Sequence, residues 1–228
     1  MNIETIAFDA DDTLWVNEPY FQATEKEFCC LLNEFMPEDK ISAELLKTEM
    51  KNLELYGYGI KGFMLSMIET LYRITEGKAD LKLVQKVIDL GQTLIQQPVE
   101  LIEGVAYTLE RLSKNYKLVL ATKGDLLDQE RKLEASKLGK WFHHIEVMSD
   151  KKPKNFQKLL RHIEVPAENF LMVGNSVRSD IIPVLEINSY AAHIPFHTTW
   201  IHEKHETNME HPNLLKLEKI EDILNHLF

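Results

Sequence analysis

Apolar residues recur along this chain in two different rhythms. Short runs of β-compatible residues bounded by polar ones read as buried strands. They cover Ile3 to Phe8, Lys117 to Ala121, His144 to Met148, Phe170 to Val173 and Tyr190 to Ile194. Among them lie helical patterns at Val105 to Ser113, Leu126 to Leu138, Asn155 to His162 and Ser179 to Glu186. Strands alternating with helices of this length predict βαβ units and a parallel sheet, an α/β fold.

From about Glu18 to Pro98 only the helical rhythm is present. Phe21, Phe28, Leu31, Leu32 and Phe35 form one apolar stripe. Helical runs continue over Leu45 to Leu55, Gly62 to Arg73 and Leu81 to Leu94, punctuated by Tyr56 to Gly62 (YGYGIKG) and by Gly77. The pattern predicts an all-helical block over this stretch, inserted between the first strand and the rest of the α/β sheet. The tyrosines Tyr56 and Tyr58 in the glycine-rich stretch are expected to pack or to act as a hinge.

Composition narrows the class. With 44% hydrophobic and 27% charged residues, the 228-residue chain reads as an ordinary globular protein. It has no apolar run near the ~20 residues that a membrane-spanning helix needs. Its first residues lack the basic flank and apolar stretch of a secretory signal, so the expected compartment is the cytoplasm. The two cysteines, Cys29 and Cys30, are adjacent. Neighbouring Cα atoms lie ~3.8 Å apart, closer than a relaxed disulfide prefers, so they are expected as plain helix residues in a reducing compartment. A formal charge of −10 repels polyanions and argues against a nucleic-acid partner. A small phosphorylated metabolite remains compatible, because a divalent cation and a few lysines reverse the field locally.

Candidate chemistry gathers where the predicted strands end, the side on which parallel sheets bind ligands. Asp9-Ala10-Asp11-Asp12-Thr13 follows the first strand. In an extended chain Asp9 and Asp11 would point the same way, one placed to attack phosphorus and the other to donate a proton. Thr122 ends the second strand with a hydroxyl for a phosphoryl oxygen. The cluster Lys151-Lys152-Pro153-Lys154 follows the third strand with the cation such a transfer needs. Gly174-Asn175-Ser176-Val177-Arg178-Ser179-Asp180 follows the fourth, and Asp180 is a hard oxygen ligand suited to Mg²⁺. Each motif alone also fits a turn, a helix cap or a solvated charge run. Their order at four successive strand ends makes independent chance a poor explanation.

On FDADDT, VLAT and VGNSVRSD the chain resembles the haloacid dehalogenase superfamily, and within it the phosphatases with a helical (C1-type) cap. The resemblance implies a Rossmann-like core made of 1–15 and 98–228, a cap over about residues 16–97 and Mg²⁺ dependence. It makes Asp9 a nucleophile that forms an aspartyl-phosphate, and Asp11 the general acid/base whose carbonyl also binds metal. Thr122 would hold the phosphoryl group. Asp180, with Asn175 and Asp9, would complete the metal site. Lys123 stands where asparagine commonly follows the threonine, and Asn175 where many relatives carry aspartate. A K-x-P-x-x-aromatic match ending at Phe156 selects Lys151 as the catalytic, phosphate-binding lysine, and a plain Lys-Pro match selects Lys152; Lys151 is preferred.

The expected activity is thus Mg²⁺-dependent hydrolysis of a small phosphomonoester. A phosphomutase and a catalytically idle binding protein are the alternatives; a dehalogenase would have no use for Asp11 as a leaving-group acid. The histidine group His193, His197, His202 and His205 has the composition of a zinc site, but Pro195 interrupts the helical spacing that would turn His193 and His197 to one ion. The stretch Phe196 to His205 is instead expected as a loop beside the active site, with Trp200 packed in it.

Overall fold

The structure, a computed structural model, describes residues 2–203 and 209–227. In chain order it contains β1 (Thr5–Phe8), then helices α1 (Glu18–Leu32), α2 (Glu38–Tyr56), α3 (Ile60–Ile74) and α4 (Leu81–Ile95). There follow α5 (Val105–Leu112), β2 (Lys117–Lys123), α6 (Leu126–Ser136), β3 (His144–Met148), α7 (Pro153–His162) and β4 (Phe170–Gly174). The last elements are α8 (Ile182–Leu185), β5 (Tyr190–His193), β6 (Leu214–Lys216) and α9 (Leu224–Leu227). Two compact units result. One comprises Met1–Glu18, Val99–Lys123 and Gln129–Phe228; the other comprises Pro19–Pro98 and Gly124–Asp128.

The first unit is built on a six-stranded sheet of order β3-β2-β1-β4-β5-β6, parallel throughout. This is the Rossmann-like α/β fold. β1 is buried along its whole length and alternates between two cores, as a pleated strand must. Ile6 and Phe8 join Val105, Leu109 and Leu112 of α5 on one face, while Ala7 joins Phe156 and Leu159 of α7 on the other. From β1 the chain crosses to β2 and β3 on one side, then returns to β4 on the other. The direction of winding therefore reverses between β1 and β4, which opens a crevice at their carboxyl ends.

The residues flanking the inserted segment pair with each other. Val16 N donates to Glu100 O at 2.9 Å and Ile102 N to Leu14 O at 3.0 Å, around an antiparallel bridge between Trp15 and Leu101. The second unit has its own core, with Phe28, Leu32, Ile41, Leu45, Phe63, Met67 and Leu71 among its buried residues. Asp80 caps α4 by accepting from Leu83 N at 2.7 Å. Gly59 carries φ +109°, and a Cβ there would meet Asp125 N at 2.8 Å, so a bare backbone is required for the approach. Lys61 Nζ reaches both oxygens of Asp125 at 3.0 Å.

Several expectations need correction. Phe35 is 46% exposed, because α1 stops at Leu32 and the following turn carries Phe35 off the stripe. Residues 124–128, which include the start of α6, group with the helical unit. α6 itself stops at Ser136, and Lys137 turns away with φ 58°. The regular helix expected from Ser179 is a π-turn over Val177–Ile181, followed by the short α8. β6 was not predicted, being three residues long. Both cysteines are free, Cys29 buried and Cys30 exposed. No helix among the described residues is long and apolar enough to cross a membrane.

Candidate active site

β1 delivers Asp9 into the crevice. Asp9 N donates to Val173 O at 2.9 Å, so the chain leaves β1 still tied to β4. It then turns sharply: Leu14 N donates to Ala10 O at 2.8 Å, and Asp12 sits at φ 62°, a conformation aspartate tolerates better than most residues. The turn brings Thr13 back so that its hydroxyl donates to Asp9 Oδ2 at 3.0 Å. The left-handed residue lies at Asp12, so the sharp bend follows both Asp9 and Asp11. The two carboxylates sit among different donors.

Asp9 lies in the drier place. Lys151 Nζ bonds Asp9 Oδ1 at 2.5 Å and Asp180 Oδ1 at 2.6 Å. Lys151 is 3% exposed, whereas the side chain of Lys152 is 63% exposed and pairs with Asp150 at 2.8 Å. Of the two candidate lysines, Lys151 is thus the one brought to the acids. Asp180 is fixed from its other side by Ser176 N, which donates to Oδ2 at 3.0 Å. A Cβ at position 174 would lie 2.2 Å from that oxygen, so Gly174 is required for the close fit. Asn175 enters the cluster through its backbone N, which donates to Thr13 Oγ1 at 3.1 Å, with Asn175 Oδ1 3.3 Å from the same hydroxyl.

Burial pushes the Asp9 carboxyl up to about 7, and the charges of Asp180 and Asp11 add to that push against the pull of Lys151. For Lys151 burial works the other way, but Asp180 and Asp9 outweigh it and hold the ammonium in its charged form, its pKa raised. Asp12 is also driven up, to about 8, chiefly by burial. It accepts from Asn17 N at 2.8 Å and from Glu18 N at 3.0 Å, capping the start of α1.

Asp11 is more open and held by three donors. Trp15 Nε1 and Lys132 Nζ donate to Oδ1 at 2.7 and 3.0 Å, and Gln129 Nε2 donates to Oδ2 at 2.8 Å. A further cluster secures the loop after β4. Glu203 Oε2 accepts from the hydroxyls of Ser176 and, at 2.7 Å, Ser179. Its Oε1 pairs with Lys123 Nζ at 2.7 Å, and that ammonium also reaches Ser179 Oγ at 2.8 Å. Burial works against the Glu203 charge, but Lys123 and the serines hold its carboxyl down at about 2.

Thr122 is buried at the end of β2, where its hydroxyl donates to Lys123 O at 3.2 Å. The histidines disperse. His193 meets Asn175 O at 3.0 Å, His197 stacks on Phe196, and His202 lies beside Arg178 and Trp200. His205 lies outside the described residues. Among the described residues no three His, Cys, Asp or Glu side chains gather as a metal cluster. The oxygens of Asp9, Asp180 and Asn175 nonetheless suit Mg²⁺, a hard ion that needs only one or two carboxylates and keeps several waters.

Gln129, Lys132 and Glu203 escaped the sequence reading. Gln129 and Lys132 lie i,i+3 on α6 and so share a helix face, the one signal that could have paired them. Glu203 had none, because it reaches Ser176 and Ser179 only through tertiary folding.

Comparison with known proteins gives a consistent picture. A family model for haloacid dehalogenase-like hydrolases matches residues 3–184. Among curated proteins none matches the chain. A haloacid dehalogenase-like family hydrolase from Xanthomonas campestris is 35% identical, with TM-score 0.89 over 99% of this chain and 91% of that one. The hydrolase YfnB from Bacillus subtilis, bound to magnesium, is 21% identical with TM-score 0.66 over 100% and 99%. A 2-haloacid dehalogenase from Pseudomonas syringae is 18% identical with TM-score 0.65 over 99% and 98%. The last two share the fold.

Proposed function

The chain belongs to the haloacid dehalogenase-like hydrolases, and from that premise we propose that it is a Mg²⁺-dependent phosphatase of small phosphomonoesters. The observation that carries the reading is the separate seating of two carboxylates. Asp9 is buried against Lys151, and Asp11, two residues on, is held open by Trp15, Gln129 and Lys132. One suits attack and the other proton transfer.

In the first step an Asp9 oxygen attacks phosphorus, the bond to the leaving oxygen breaks, and Asp11 gives that oxygen its proton. In the second, the Asp11 carboxylate takes a proton from water as the water oxygen attacks phosphorus. The bond to Asp9 then breaks, orthophosphate leaves, and Asp11 is protonated again. Lys151 and the Thr122 hydroxyl stabilise the phosphoryl oxygens. Mg²⁺, held by Asp9, Asp180, Asn175 and the Asp11 carbonyl, supplies a fixed positive charge to those oxygens when bound. The helical segment, residues 16–97, acts as the cap that selects the leaving group. Halide departure needs no acid, so a dehalogenase reading leaves Asp11 without a task.

The test is phosphate release from a panel of phosphomonoesters, with Mg²⁺ and with EDTA, beside chloride release from 2-chloropropionate. The expected result is phosphate release that EDTA abolishes. Chloride release without phosphate release, or isomerised sugar phosphate as the product, would overturn the reading.

A further inference from the structure

We propose that Gln129 and Lys132 are positioning residues for Asp11, setting the angle from which it exchanges its proton. The inference rests on Asp11 as the proton-transfer group in the reading above. Both side chains come from one face of α6, one turn apart. They take opposite oxygens of the same carboxylate, Gln129 at Oδ2 and Lys132 at Oδ1. Trp15 closes the set at Oδ1. A carboxyl gripped at both oxygens cannot rotate about its last bond, and that rotation would otherwise move the proton away from a leaving oxygen.

Each holder is itself held. Lys132 Nζ also bonds Asn17 Oδ1 at 2.7 Å, and its side chain is only 13% exposed. Gln129 is 3% exposed, and its Nε2 also donates to Lys123 O at 3.2 Å. The remaining atom of that amide, Oε1, is buried without a hydrogen-bond partner. Reversing the amide would not help, because both partners of Nε2 are acceptors and would then face an oxygen. A buried acceptor left unpaired is destabilising, so the site tolerates that loss while keeping a donor on Asp11. Gln129 also ties Asp11 to the backbone just beyond Thr122, linking the proton donor to the phosphoryl-binding strand.

Leaving-group dependence separates positioning from a general structural role. An alkoxide leaves poorly without a proton, whereas p-nitrophenolate leaves without help. Lys132→Met and Gln129→Met should lower kcat on alkyl phosphates by ~10- to 100-fold, within the range of general acid catalysis, and on p-nitrophenyl phosphate by less than ~3-fold. In an Asp11→Asn background the same changes should add little, because residues acting through one group are not additive. Lys132→Arg should recover part of the alkyl rate. A loss uniform across the panel, or full additivity with Asp11→Asn, would overturn the proposal while leaving the phosphatase reading intact. Wild-type protein inactive on every ester would overturn both. Melting curves and the magnesium dissociation constant of each variant identify one that is merely misfolded, and the other variant then decides.

Discussion

Each of the two units buries polar groups, but they do so to opposite effect. In the helical unit Asn52 Nδ2 donates to Ser66 Oγ and Glu69 Oε2, each at 3.1 Å. Arg73 bonds Thr48 Oγ1 at 3.0 Å and Glu44 Oε2 at 2.7 Å. Lys51 and Asn52 hold the Glu69 carboxyl below its ordinary range. Neutral hydrogen bonds lie inside and the charges sit toward the rim, an arrangement that specifies helix register without storing electrostatic work. In the α/β unit the order is reversed. Asp9, Lys151 and Asp180 are charged groups deep in the fold, and two carboxyls, Asp9 and Asp12, are pushed far above their usual range. A polar interior that holds a structure together relaxes its charges, and one prepared for chemistry keeps them under tension.

Substituting inside each network sharpens this contrast. The largest effect is expected for Asp9→Asn. Activity should fall by ~10⁴-fold or more, as when other enzymes lose a nucleophile, while the metal-free melting temperature stays level or rises. A carboxyl that burial raises is easily replaced by an amide. Retained turnover of more than a few per cent, with contaminating phosphatase excluded, would remove Asp9 from the chemistry.

Asn52→Ala should behave in the opposite way. It removes the amide that donates to Ser66 Oγ and Glu69 Oε2, although Lys51 keeps Glu69 Oε1, and should destabilise by about 1–3 kcal/mol, read from the urea midpoint, with kcat unchanged. If kcat falls while stability holds, the two networks are not functionally distinct.

The last contrast concerns pH. The folded protein keeps the Asp12 proton up to about 8, whereas the unfolded chain releases it near 3.8. The folded state binds more protons in that window, so Asp12 lowers stability as pH rises from about 4 through about 8. Asp12→Asn keeps an acceptor for Asn17 and Glu18 and suits the left-handed backbone. It should flatten this part of the melting-temperature profile for the metal-free protein. An unchanged slope would assign the dependence to other groups.

Five of the six strands were legible because each is a short apolar run and the crossovers between them are helical. The four strand-end motifs were legible because parallel topology puts such ends on one side. The donors around Asp11 were not legible. Gln129 and Lys132 lie more than a hundred residues away and look like ordinary polar helix positions. The turn at Asp12 was also hidden: alternation predicts an extended chain and does not register the left-handed Asp12 or its capping of α1. Between Lys151 and Lys152 the motif patterns disagreed; of the two, Lys151 is the buried one. At the π-turn over Val177–Ile181, Ser176 Oγ accepts from Ser179 N and Asp180 Oδ2 from Ser176 N, local side-chain bonds that periodicity does not register.

The pairing of Val16 with Glu100 and of Leu14 with Ile102 has an entropic consequence. It closes the inserted segment at its base, so the α/β unit meets two adjacent chain ends whatever lies between them. The penalty for closing such a loop grows only with the logarithm of its length, about 0.6 kcal/mol for each doubling. The insertion can therefore lengthen, shrink or be exchanged at little thermodynamic expense to the sheet, which leaves one half of the protein free to vary while the other stays constant.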